Sequence, residues 1–170
     1  QRSMKEKKAF GSLASGDRGV SIIAISPVIH DDELLGMIAM IQGLASVRKN
    51  FTKQKNGQWL LLVNRNYVKN RYGEMPVIEK NTEFNENFIV ANDKWFPKET
   101  IEFAKPAFQE TVGENTNIYF HGGKVIIDLP ALDESNKVFG RHLFIMDESA
   151  YFAPINDAMI GAKISLAGII

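Results

Sequence analysis

The sequence contains no cysteine. That excludes a disulfide framework, a thiolate nucleophile, cysteine-ligated zinc, iron–sulfur clusters and c-type haem attachment. It also lacks net charge, because 20 Lys and Arg balance 20 Asp and Glu. A duplex-binding module held by bulk positive charge is therefore disfavoured, although a local basic patch is not. Only three histidines are present, and none lies in an HExxH pattern. Walker A, GxGxxG and GxSxG motifs are missing, and no Ser–His spacing suggests a nucleophile with its base. No apolar signal core opens the chain at Gln1. Low-complexity tracts are absent, and the sequence reads as free of internal repeats.

What is present reads as one domain. Apolar residues make up 45% of the 170 residues and charged residues 24%, a composition and length that suit a single globular core. Residues 1–16 are polar and Lys-rich at their start and read as a helix tail or linker. Residues 20–29 are β-branched and apolar on both faces, which predicts a strand covered on both sides. The polar turn His30-Asp31-Asp32-Glu33 joins it to a second strand over 34–41, an antiparallel hairpin. Its four consecutive side chains diverge and do not suit a single metal ion. Leu44, Val47 and Phe51 recur at helical spacing over 44–53, so the glycosylation-type triplet Asn50-Phe51-Thr52 falls on a helix.

Residues 59–63 predict a buried strand. Residues 64–92 are polar and irregular, a length that in a compact domain points to a functional or mobile segment. A helix is expected after Pro97, with Pro106 ending or kinking it. Strands follow over 117–120, 124–129 and 138–146, the first pair joined by the tight turn His121-Gly122-Gly123. Asp147-Glu148-Ser149 opens a final helix. The order predicts an α+β fold: a single PAS-like domain with one five- to six-stranded antiparallel sheet flanked by helices. The hairpin 20–41 and the strands 117–146 are expected in that one sheet. Residues 158–170 are apolar apart from Lys163 and Ser165. They are too short to cross a membrane alone, for which about 20 residues are needed. They fit the start of a span, with Leu166, Ile169 and Ile170 as its first buried residues, or else an amphipathic helix.

One set of motifs carries a family resemblance. Arg18-Gly19-Val20 leads through Ile25-Ser26-Pro27-Val28 and a short turn to Leu35-Gly36-Met37-Ile38. Ile41-Gln42-Gly43-Leu44-Ala45-Ser46-Val47 follows. Leu129-Pro130, Asp133 and Val138-Phe139-Gly140-Arg141-His142-Leu143 close the pattern. This resembles the Cache sensor domains of bacterial chemoreceptors over about residues 16–157. Ala39-Met40 stands where an acidic residue is common, Ala45 where Asn is common, and residues 64–116 match by layout alone. The resemblance implies a PAS-like, extracytoplasmic sensor domain over 17–157, single or the membrane-proximal half of a double one, with 158–170 leading into a membrane span. It implies a small-molecule ligand (amino acid, carboxylate or amine), a homodimer in the full receptor, no cofactor, no metal and no catalytic residue. A cytoplasmic PAS- or GAF-like regulatory module is the alternative, and a small α+β enzyme a third reading. For the ligand site, Trp95 and Tyr119 offer an aromatic wall and a hydroxyl. Arg18 or Arg71 offers a bidentate partner for a carboxylate, and Asp128 a partner for an ammonium.

Overall fold

The strands form two sheets, not one. A computed structural model describes residues 7–16, 19–55, 57–72, 82–91, 93–110 and 113–167. In it β1 (Phe10–Gly16), β2 (Gly19–His30) and β3 (Glu33–Gly43) make a three-stranded antiparallel sheet in that order. The strands β4 (Gly57–Asn64), β5 (Phe88–Val90), β6 (Asn117–His121), β7 (Lys124–Leu132) and β8 (Val138–Asp147) form a five-stranded antiparallel sheet in the order β5-β4-β8-β7-β6. Among the described residues there are four α-helices: α1 (Ala45–Lys55), α2 (Arg65–Tyr72), α3 (Lys98–Ala107) and α4 (Glu148–Ala167).

The α+β class expected from the sequence holds, and the expectation of one sheet is corrected. β8 is already paired on both sides, by β4 and by β7, so the centre of the five-stranded sheet has no place for the hairpin 20–41. The hairpin pairs instead with β1, from Phe10↔Ile25 to Gly16↔Gly19. Residues 10–16 are thus a strand, where the sequence reads as the end of a helix tail or linker. Gly11 and Gly16 weaken any helix there, and a neighbouring strand supplies the missing hydrogen bonds.

β4 is the centre of the core, with Leu60, Leu61 and Leu62 each 0% exposed. Directly opposed residues of an antiparallel pair share a face. Trp59 and Leu61 of β4 therefore share one face with Phe144 and His142 of β8. On this face Phe51 of α1 meets Phe144 at 5.0 Å, and Phe120 of β6 stacks on Phe152 of α4 at 5.9 Å. The other face carries Leu60, Leu62, Leu143, Arg141, Asp128 and Tyr119. There α3 lies across the strands, with Phe103 on His121 at 5.7 Å.

Local chemistry explains the connections. Asp31 and Asp32 turn β2 into β3 at φ +47° and +61°, as Gly122 and Gly123 turn β6 into β7 at +56° and +74°. Two successive positive φ values are the hairpin turn that matches strand twist. Pro97 precedes α3, and Pro106 falls in its last turn, where it does not break the helix. The stretch 64–92, irregular by sequence, contains α2 and the short β5. Tyr67, Val68 and Tyr72 are too few to give the eight-residue α2 a clear apolar stripe, and it starts on the Asn64 side chain, which accepts from the Tyr67 N–H at 3.0 Å. No helix among the described residues is long and apolar enough to cross a membrane. Ile169 and Ile170, expected to begin a span, lie outside those residues.

Candidate binding site on the buried face of the sheet

Two opposite charges stand in apolar strand segments. Asp128 sits between Ile127 and Leu129, and Arg141 between Gly140 and His142. The register pairs Asp128 with Leu143 and Pro130 with Arg141, so the two charges are diagonal neighbours on one face. Arg141 Nε donates to Asp128 Oδ1 at 2.7 Å, and the two side chains are 1% and 0% exposed. Arg141 Nη1 donates to the Gly113 carbonyl at 2.8 Å and Nη2 to the Asn115 carbonyl at 2.6 Å. One guanidinium thus ties two strands of the sheet to the segment between α3 and β6. A buried pair of this kind adds little net stability, because desolvation offsets attraction, but losing one partner is costly.

Tyr119 joins the same face from β6, where Asn117 opposes Asp128 and Tyr119 opposes Ile126. Its hydroxyl is buried beside the Gln109 backbone and, among the described residues, makes no hydrogen bond of full geometry. Burial pushes its pKa up to about 12. The Gln109 backbone lowers it, the Asp128 charge raises it and the Arg141 charge lowers it. The group is therefore a phenol at every ordinary pH. A buried hydroxyl poorly matched to its surroundings is uncommon and calls for an explanation.

Behind this face, on the other side of β8, Trp59 Nε1 donates to His142 Nδ1 at 3.2 Å. Burial, then the Arg141 charge, lowers the His142 pKa to about 4. His142 is a neutral acceptor locked to an indole, not a poised base. Asp133 is a turn anchor. Its Oδ1 accepts the Ser135 and Lys137 N–H groups at 2.7 and 2.9 Å, and its Oδ2 accepts the Tyr67 hydroxyl at 2.6 Å.

Of the residues singled out by sequence, the fold brings Tyr119 and Asp128 together. Trp95 lies in a 3₁₀ turn, Asp93–Trp95, packed against Gly43 at the end of β3. Among the described residues no ring contact or hydrogen bond joins it to Tyr119 or Asp128. Arg71 is in the last turn of α2. Arg18 lies outside the described residues. Arg141 is the functional candidate that sequence reasoning missed, quoted only as part of a strand motif. Its signal was there: one Asp and one Arg, each embedded in an apolar strand, must find each other when both are buried.

Among the described residues no three His, Asp or Glu side chains converge as metal ligands. His30 Nε2 and Asp31 Oδ2 meet at 3.3 Å on an exposed turn. At the rim of the α3-covered face an open cleft of about 320 Å³ is lined by Gln58, Glu99, Thr100, Phe103, Lys124 and Asp147, among others. Its Lys124 Nζ and Asp147 Oδ1 are paired at 2.7 Å. The α3-facing side of the sheet thus carries a guanidinium, a carboxylate and a phenol among apolar side chains. No family model matches the sequence, and no curated protein is significantly similar to it.

Proposed function

We propose that this is a small-molecule-binding sensor domain of the PAS-like, Cache type, extracytoplasmic in a bacterial membrane receptor of the methyl-accepting chemotaxis class. The observation that carries the reading is the cluster Tyr119, Asp128 and Arg141 on the α3-facing side of a five-stranded antiparallel sheet. A binding site needs an apolar wall and a few convergent polar groups, and this face has both. The ligand class is an amino acid, carboxylate or amine. A carboxylate takes Arg141 N–H groups that now reach the Gly113 and Asn115 carbonyls, and an ammonium goes to Asp128. Arg18, Arg71 and Trp95 are further proposed contacts from the surrounding segments.

The route to an output is covalent. β8, which carries Arg141, ends at Asp147, and α4 begins at Glu148. A ligand that displaces Arg141 therefore pulls on the strand that continues into the terminal helix. In the full receptor the domain is proposed to work as a homodimer, without cofactor or metal, with adjoining segments in the membrane.

The test is mass spectrometry of small molecules released from the natively purified protein, then calorimetry with the molecule found. Tyr119→Phe is expected to weaken binding about 5- to 10-fold, the scale of one hydrogen bond, with the fold intact. Unchanged affinity in that variant and in Arg141→Lys would remove this face from the site. Flanking sequence with no membrane span on either side would favour the cytoplasmic regulatory module instead.

A further inference from the structure

The sheet face that carries Arg141 continues along β8 through Leu143 and Ile145 to Asp147. Leu143 and Ile145 are 0% and 3% exposed, so packed side chains separate the two ends. At the far end, about 20 Å from Arg141 at the rise of a strand, lies the open cleft of about 320 Å³ beside the first turn of α3. Gln58 opposes Ile145 and Lys124 opposes Asp147, which puts Gln58 and Lys124 on this same face. Phe103 of α3 forms a wall and lies against the turn from β6 to β7, where a Cβ on Gly122 would be 3.3 Å from its ring.

The polar groups of this cleft are unevenly matched. Thr100 lines it although the residue is only 8% exposed. A threonine in a helix ordinarily returns its hydroxyl to a carbonyl three or four residues back. The Pro97 carbonyl takes the Thr100 and Ile101 N–H groups instead, and among the described residues the Thr100 hydroxyl has no hydrogen-bond partner. A buried polar group in that state calls for an explanation. The neighbouring Glu99 carboxylate and the Gln58 amide likewise have no side-chain partner among the described residues. Lys124 and Asp147 pair with each other at 2.7 Å, with side chains 39% and 61% exposed, a setting in which an ion pair contributes little and opens readily. Two carboxylates against one ammonium leave the cleft with negative charge in excess.

We propose that this cleft is a second ligand site, for a small primary amine. The ammonium goes to the Glu99 carboxylate, and the Thr100 hydroxyl and the Gln58 side-chain carbonyl accept its N–H groups. Phe103 and Ile145 cover the hydrocarbon body. An anion would face two carboxylates and one cation that is already paired. The position gives the ligand a short route to α4. The Gly123 carbonyl, next to Lys124, accepts the Glu148 N–H at 3.1 Å, and Asp147 and Glu148 end β8 and begin α4. An ammonium that draws on Asp147 releases Lys124 and loosens the ties at the start of α4. This inference does not rest on the proposed function, whose groups lie at the other end of the face.

The experiment titrates the isotope-labelled protein with n-butylamine, and separately with n-butyrate as the probe of opposite charge, following backbone amide signals by NMR. Butylamine is expected to shift Thr100, Lys124 and Glu148 saturably while Tyr119 and Arg141 stay in place. Glu99→Gln should weaken that binding at least about 10-fold, the scale of a charge-assisted hydrogen bond. Thr100→Val should weaken it about 5-fold, the scale of a neutral one, and Thr100→Ser, which keeps the hydroxyl, should leave it unchanged. The dispersion of each variant's spectrum reports that its fold is intact. The absence of a saturable shift at these three amides overturns the proposal, as does an affinity unchanged in both Glu99→Gln and Thr100→Val. Butyrate binding as tightly at the same amides also overturns it, and gives the cleft to an anion on Lys124. Shifts confined to Tyr119 and Arg141 overturn it too, and leave the proposed function standing.

Discussion

Leu61 and Ile41 are aliphatic strand residues, yet Leu61 is 0% exposed and Ile41 is 71% exposed. The difference is not in the residues or in their strands. β4 lies between β5 and β8 with a helix layer on each face, whereas β3 ends its sheet and, among the described residues, no strand pairs with its outer edge. Burial is a property of the neighbours that a strand acquires, and two strands of similar pattern can differ in it completely. The same contrast holds for polar groups. His30 and Asp31 meet on an exposed turn, with side chains 75% and 90% exposed, where an ion pair contributes little. Asp128 and Arg141 meet where neither can be left alone.

That contrast can be broken in the laboratory, and the largest effect is expected at the buried pair. Arg141→Met leaves Asp128 buried without its cation and should cost about 3–5 kcal/mol in chemical denaturation. Adding Asp128→Leu to it should recover much of the loss. If the single variant is as stable as the parent, the pair is not buried as described. Next, Leu61→Ala should cost about 3 kcal/mol, while Ile41→Ala in residues 1–170 should stay within about 0.5 kcal/mol. Comparable losses from the two would mean that β3 is covered in solution.

Acid sensitivity gives a third test. The folded His142 pKa of about 4 lies below its ordinary 6.5, so the unfolded chain binds the extra proton first. Stability should therefore fall as pH drops from about 6.5 to 4, by up to about 3 kcal/mol from this group alone. Above pH 6.5 the group contributes no pH dependence. His142→Gln keeps an acceptor for Trp59 and should flatten the profile in that window. A parent and variant with parallel profiles would show that His142 is not buried neutral. The smallest effect is expected at Tyr119. Removing its poorly partnered hydroxyl in Tyr119→Phe should change ligand-free stability by no more than about 1 kcal/mol, in either direction. A larger loss would reveal a hydrogen bond to Gln109 stronger than the geometry indicates.

The strands at 20–29, 34–41, 59–63, 117–120, 124–129 and 138–146, the turn at Gly122-Gly123 and the helices after Leu44, Pro97 and Asp147 were legible because each rests on local chemistry, although the strand at 20–29, expected to be covered on both sides, leaves Val28 and Ile29 exposed. Period-two alternation, a φ-permissive pair or a capping residue acts within a few positions. β1, α2 and β5 were not legible, because each depends on a distant partner. β1 has two glycines and needs β2, α2 has no stripe and rests on Asn64, and β5 is three residues held by β4. Within the candidate site, Tyr119 and Asp128 were visible as polar groups in strands. Arg141 was overlooked, since its role depends on a diagonal across β7 and β8.

By itself the sequence determined most of the stretches that extend, turn and coil. Those properties follow from side-chain shape and solvation at each position. Only the tertiary structure decided that the eight described strands divide into two sheets, that Arg141 is the partner of Asp128, and that no described strand pairs with the outer edge of β3. Each depends on which segments far apart in the chain meet. The backbone hydrogen bonds that join strands are the same for every residue type, so the local pattern cannot specify the neighbour.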